Sequence, residues 1–244
     1  MINLLYTEFL KLKRSQMLLI SMLGAATAPF VCFIAYLNMK SKKTGVPVLF
    51  NEVFSETNLY VVLLTGVTLY GVIATYLFNR EYTENTLKNL LTIPVSRISF
   101  FMSKLILLLI WILLLTVVAW GLTLIFGLIG QFEGLSLTVL IKAFKEYIVG
   151  GIFLFLLTAP TILVTLLFKN YVPSLVFTIA ITMVNVLIGN SEYRVLYPWS
   201  AVLVIANKDF FPEYLPVYSY ISIFTTSLLG FIVAIIHFKK EEIH

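Results

Sequence analysis

An all-α integral membrane fold with six transmembrane helices is what this sequence predicts, and three observations predict it. Charged residues make up only 12% of the 244 residues and hydrophobic ones 60%, with a mean hydropathy of +0.98, whereas a soluble domain carries roughly 25% charged residues. Apolar stretches run over Met17 to Leu37, Leu59 to Phe78, Leu105 to Ile129, Tyr147 to Phe168, Tyr171 to Gly189 and Leu215 to Phe238, each near or above the ~20 residues that cross hydrocarbon. None shows the period-two alternation of an outer-membrane barrel, and a helix satisfies its own backbone within the segment. With no repeat, linker or low-complexity tract, residues 1–244 read as a single transmembrane domain.

Before the first span, residues 1–15 form a candidate amphipathic helix lying on the membrane surface. Ile2, Leu5, Phe9 and Leu12 share one face, and Asn3, Thr7, Lys11 and Arg14 fall largely on the other. A plain polar lead-in to the first span is the competing reading. Ala26-x-Ala28 formally resembles a signal-peptidase site, but the apolar run continues to Leu37, beyond the usual signal h-region, so the span is expected to be retained. Within it, Gly24 to Ala28 are five small residues that would let another helix approach closely, and Pro29 is expected to kink the helix. The lone Cys32 excludes an intramolecular disulfide and reads as a small apolar filler.

The loop after the second span, Arg80 to Arg97, is charged and helix-capable. A short helix is expected to start near Thr83 as N-cap, with Glu84 in its first turn, Glu84 and Lys88 paired at i,i+4, Leu87, Leu90 and Leu91 as an apolar ridge, and Pro94 as terminator. On physical grounds alone this could equally be a connector. Leu135 to Tyr147 reads as a shorter surface helix on the far side, and Pro160 as a kink in the fourth span. Asn190 to Tyr214 contains an apolar run, Val195 to Ala206, interrupted by Pro198. That run is too short to cross and suits a re-entrant or interfacial segment, with Tyr193, Tyr197, Trp199 and Tyr214 at headgroup depth. A partly buried external cap is the bland alternative.

Six spans put both termini on one side. If that side is cytoplasmic, it holds Lys11, Lys13, Arg14, Arg80, Lys88, Arg97, Lys104, Lys169, Lys239 and Lys240, ten of the 17 basic residues. The other side holds Lys40, Lys42, Lys43, Lys142, Lys145, Arg194 and Lys208. Both termini are therefore expected in the cytoplasm of a multi-pass plasma-membrane protein, although the cluster at Lys40 to Lys43 argues locally for the opposite.

Enzymes embedded in the bilayer need ionisable groups there, and the six apolar stretches contain no Asp, Glu, Lys or Arg. The two histidines, His237 and His244, fall in the last eight residues, so neither an HExxH zinc helix nor a paired-histidine site can form. No metal site or catalytic residue is expected. No G-x-x-x-x-G-K-[ST] loop occurs, and no basic stretch is interleaved with aromatics as in a nucleic-acid groove. Proton or ion relays are disfavoured on the same ground, so the spans suit an apolar or amphipathic cargo. Thr158, Thr161, Thr165, Thr178, Thr182 and Asn185 are expected to hydrogen-bond between helices.

Glu81 followed by Thr86, then Leu90-Leu91-Thr92-Ile93-Pro94-Val95-Ser96-Arg97 and Lys104, resembles the coupling loop of type-2 ATP-binding-cassette exporter permeases. The amphipathic start ending in Lys11-Leu12-Lys13-Arg14, the six spans, and Tyr197-Pro198-Trp199-Ser200 before the last span are similar to that family as well. In size and texture the chain is most similar to the small permeases of bacitracin and lantibiotic immunity transporters. Asn85 stands where many members have Gly.

The resemblance implies a bacterial permease subunit that exports an amphipathic peptide antibiotic or similar compound. Its partners would be two cytosolic ATPase subunits, which hold ATP and magnesium, and a second identical or homologous permease, with no cofactor on this chain. Arg80, Glu81, Glu84, Thr86, Leu87, Lys88, Leu90, Leu91, Pro94 and Arg97 would form the coupling site. Gly24, Ala25 and Ala28 would face the partner permease, while Tyr197, Pro198, Trp199 and Ser200 would form the re-entrant segment. A membrane immunity or scaffold protein that sequesters a peptide, and a lipid pyrophosphate hydrolase, are the rival readings.

Overall fold

A computed structural model of the chain describes residues 2–13, 15–42, 47–84 and 96–240. Helix α1 (Ile2–Lys13) precedes α2 (Met17–Lys42). The second span is continuous from α3 (Phe50–Tyr60) through a π-helical turn (Val61–Thr65) into α4 (Gly66–Thr83). Next come α5 (Arg97–Ile129), α6 (Leu137–Leu156), α7 (Ala159–Phe168) and α8 (Tyr171–Ile188). A 3-10 turn (Glu192–Val195), α9 (Pro198–Asn207) and α10 (Val217–Lys240) complete the described chain. Six helical segments are long and apolar enough to cross a membrane among the described residues, with α3–α4 and α6–α7 each forming one of them.

The spans run longer than the apolar stretches alone suggest. Leu135 to Tyr147 is not a separate surface helix: Ser136 caps α6 by accepting from the Val139 amide at 3.3 Å, and nothing breaks the helix before Leu156. Tyr147 is fully buried and donates to the Phe54 carbonyl at 3.3 Å. The break instead comes at Leu157 and Thr158, because Pro160 lacks the N–H that would continue the ladder and sits in the first turn of α7. Pro29 lies inside α2 without ending it.

α3–α4 is the most enclosed span, and its middle is where the packing is most specific. In the π turn the Gly66 amide donates to the Val61 carbonyl, five residues back, and a Cβ at Gly66 would lie 2.5 Å from that oxygen. Such a turn leaves neighbouring carbonyls unpaired within the helix. Asn185 of α8 answers this from the side, its amide donating to the Leu63 carbonyl at 2.9 Å. Tyr70 and Thr116 share a buried hydrogen bond at 3.0 Å, and the Trp111 indole donates to Ser21 at 3.0 Å. These are inter-helix bonds; Thr165 similarly reaches Ser174 at 2.9 Å.

At the end of the bundle away from α1, Lys40 donates to the carbonyls of Gly130 and Gln131, both at 3.0 Å. A cation is favoured where α5 leaves its last carbonyls unpaired. Part of the basic cluster that opposed the charge-asymmetry argument therefore has a local structural partner. Phe50, Phe54, Phe132 and Tyr36 form an aromatic cluster beneath this cap.

Candidate functional site

The opposite end of the bundle brings together α1, the last turn of α4 and the first turns of α5. Four charged groups meet there in the interior. Lys104 is 2% exposed and its ammonium donates to Glu8 Oε2 at 3.0 Å, Glu81 Oε1 at 2.9 Å and the Leu77 carbonyl at 2.9 Å, so all three of its hydrogens are used. Lys11 donates to Glu8 Oε1 at 3.1 Å and to Glu81 Oε1 at 2.9 Å. Two ammonium and two carboxylate groups make a neutral set, which is how charges of this burial are tolerated. The Phe100 ring lies 4.9 Å from the Lys104 nitrogen and adds its face to the cage.

Electrostatics at Lys11 follow from this geometry. Burial by itself lowers the pKa of its ammonium, but Glu8 and Glu81 together overturn that and hold it above the ordinary lysine value.

A second tier ties the same elements. The Arg80 guanidinium donates to Glu84 at 2.7 Å, to the Lys11 carbonyl at 3.4 Å and to the Tyr76 hydroxyl at 3.4 Å. Tyr76 in turn donates to Ser15 at 2.9 Å, at the junction of α1 and α2. On the far side of the loop, Ser96 caps α5 by accepting from the Ser99 amide at 3.1 Å. Arg97 donates to the carbonyls of Phe238 and Lys239 at the end of α10, each at 3.3 Å. Both described flanks of residues 85–95 are thus anchored, one to α1 and the other to α10. Together the two flanks contact α1, α4, α5 and α10.

Several sequence expectations change here. Thr83 does not begin a helix; α4 continues through it, and its hydroxyl donates back to the Arg80 carbonyl at 3.0 Å. Glu84 accordingly closes α4 and pairs with Arg80. Glu81, expected on a surface that meets a partner, is buried among α1 and α5 because two lysines converge on it. Thr86, Leu87, Lys88, Leu90, Leu91 and Pro94 lie outside the described residues.

The α1 face is also rotated from the one expected. Leu5, Glu8 and Leu12 turn inward, while Phe9 is exposed beside Tyr6 and Leu10. The ion pairs decide the rotation, since Glu8 and Lys11 must both reach Glu81 or Lys104.

Gly24, Ala25 and Ala28 do not offer a free interface. Ala25 and Ala28 are buried within the chain, and a Cβ on Gly24 would lie 2.9 Å from Leu69 of α4. The small residues serve α2 packing against its own neighbours. Trp199 likewise packs into the core of the chain beside Tyr197, 5.5 Å between ring centroids. Pro198 opens α9, and Ser200 donates to the carbonyls of Arg194 at 3.0 Å and Tyr197 at 3.2 Å.

Glu8 is the residue that sequence reasoning missed. It is the sole acidic residue before Glu52 and sits between Leu5 and Leu12 on the apolar side of α1, where a carboxylate without a partner is unfavourable. That misplacement was the available signal.

The described residues thus form a six-span helical bundle in which Glu8, Lys11, Glu81 and Lys104 meet at one end. The chain belongs to the ABC-2 family transporter proteins, whose family model matches residues 4–185. It is similar to the bacitracin transport permease protein of Bacillus licheniformis, 63% identical over 205 residues that cover 84% of this chain and 99% of the relative. It is a multi-pass membrane permease subunit.

Proposed function

We propose that this permease works with a cytosolic ATPase to move bacitracin or a similar amphipathic peptide out of the membrane, and that the end of the bundle carrying Glu8, Lys11, Glu81 and Lys104 is its cytoplasmic, force-receiving end. The observation that carries the reading is the anchoring of both flanks of residues 85–95. Arg80 and Glu81 fix one flank to α1 and α5, and Arg97 fixes the other to α10. Leu87, Leu90 and Leu91 would dock on the ATPase, which holds ATP and magnesium. The relative's name supports bacitracin as cargo.

A second permease subunit, identical or homologous, would complete the pathway. With Ala25 and Ala28 turned inward, the outward face of α2, Leu19, Leu23 and Phe30, is the part of the first span left for it or for lipid. The segment through α9 would enter the outer leaflet and return. Its ten helical residues extend ~15 Å, half of a ~30 Å hydrocarbon core. Arg194 before it and Asp209 after it form an ion pair, which brings entry and exit together.

The test is bacitracin survival of a sensitive strain expressing the chain with or without the ATPase recovered by affinity purification from native membranes. Resistance is expected with both proteins only. Full resistance from the chain alone would favour a sequestering scaffold and overturn the exporter reading.

A further inference from the structure

A cavity of about 520 Å³ opens between α6, α9 and α10, and no step of the proposed transport uses it. Lys142, Lys145 and Lys208 stand around it with the single carboxylate of Glu146, while Val149, Phe153, Ile205, Ala206 and Tyr220 form its apolar wall. Glu146 lies 3.8 Å from Lys142, which leaves two of the three ammonium groups in excess. Asn207 also lines it, and its amide oxygen is buried with no hydrogen-bond partner among the described residues.

Helix packing fixes the height of these groups. A Cβ on Gly230 of α10 would lie 2.9 Å from the Ala159 Cβ and 3.0 Å from the Pro160 nitrogen, so residues 230 and 159 are level. α6–α7 and α10 run in the same direction, each being an even-numbered span of the six. Fourteen residues back from 159 is Lys145, ~21 Å higher at 1.5 Å per residue. The same count on α10 reaches residue 216, just before the helix begins at Val217. Phe153 confirms the register: its ring centroid lies 6.2 Å from that of Tyr220 and 6.3 Å from that of Phe224. The lysines therefore ring the cavity where α10 leaves the bilayer, and its apolar wall lies one to three turns deeper.

We propose that this cavity binds an anionic phospholipid of the leaflet at that end, its phosphate between Lys142, Lys145 and Lys208 and the upper part of one acyl chain along Val149, Phe153 and Tyr220. Basic groups at the water boundary above an apolar wall match the charge order of such a lipid. A headgroup hydroxyl supplies the donor that the buried Asn207 oxygen lacks. A zwitterionic lipid would add a cation to a site already rich in ammonium groups, and free phosphate would leave the apolar wall uncovered. The inference does not depend on ATPase docking or on cargo.

The experiment is native mass spectrometry of the purified full-length chain released from nanodiscs of phosphatidylglycerol and phosphatidylcholine. Expected is one phosphatidylglycerol that survives delipidation, bound at least ~10-fold less tightly after Lys142→Ala, Lys145→Ala and Lys208→Ala together. Replacement of the same three by Arg should retain it. Val149→Trp, which fills the wall without touching charge, should also expel it. Equal retention of phosphatidylcholine, equal retention by the triple alanine chain, or displacement by glycerol phosphate as effective as by lipid would overturn the proposal. So would a Lys145→Cys cross-link between two copies of the chain, since a protein would then fill the site.

Discussion

Replacing Lys104 by Met isolates the energetic core of the charged cluster between α1, α4 and α5. The two side chains are similar in length, so packing changes little, but three hydrogen bonds are lost: to Glu8 at 3.0 Å, to Glu81 at 2.9 Å and to the Leu77 carbonyl at 2.9 Å. With Lys104 and Glu81 both 2% exposed, the two carboxylates are left with Lys11 as the one ammonium between them, and the neutral set becomes net negative. At an effective dielectric of 20, two unit charges 3 Å apart interact by ~5 kcal/mol. Most of that offsets desolvation, and breaking such a pair from one side costs about 3–5 kcal/mol. Equilibrium unfolding in mixed detergent micelles measures the loss. The control is Glu8→Gln with Lys104→Met, which removes one excess carboxylate and should be less destabilised than the sum of the two single changes by about 1–3 kcal/mol. A cost below ~1 kcal/mol for Lys104→Met, the value of an exposed pair, would refute the claim of a buried set.

Other consequences follow from single contacts. Lys11 has a folded pKa above its ordinary value of 10.5, so the stability it contributes is complete below that value and is lost as pH rises through the raised folded one. A spin label at Thr7→Cys should accordingly gain mobility only above pH ~10.5, and release of α1 near neutrality would contradict the ion pairing. Asn185→Leu removes the donor to the Leu63 carbonyl at the π turn and should cost about 1–3 kcal/mol in the same unfolding assay. Gly230→Ala sets a Cβ against the α7 backbone, 3.0 Å from the Pro160 nitrogen, and should cost about 1–3 kcal/mol as α10 separates from α7. Leu87→Ala with Leu90→Ala should insert normally yet lose the co-purified ATPase, whereas unchanged assembly would return the loop to a connector.

The six spans were legible because hydrocarbon imposes a length and an apolar composition that show directly in sequence. Their ends were less so. Lys142, Lys145 and Glu146 made the start of α6 look like a surface segment, although Ala143 and Tyr147 on its other face are buried. The small residues of α2 illustrate a second limit: Ala25 and Ala28 do mark close helix packing, but composition does not say whether the neighbouring helix belongs to the same chain. Glu81 shows a third. Its place in a recognisable loop suggested a surface contact, while its partners Lys11 and Lys104 lie 70 and 23 residues away in sequence. Local pattern carries no information about such convergence. The burial of Trp199 shows the same limit, since the core residues around it come from distant segments.

A photo-reactive residue at position 90, introduced into the chain in native membranes, tests most directly whether residues 85–95 receive force from an ATPase. A covalent adduct with a soluble ATPase subunit, its yield changing when ATP is added, is expected. No adduct with any ATPase, together with labelling of a cysteine at position 84 by an impermeant maleimide from outside intact cells, would contradict both the orientation and the coupling role.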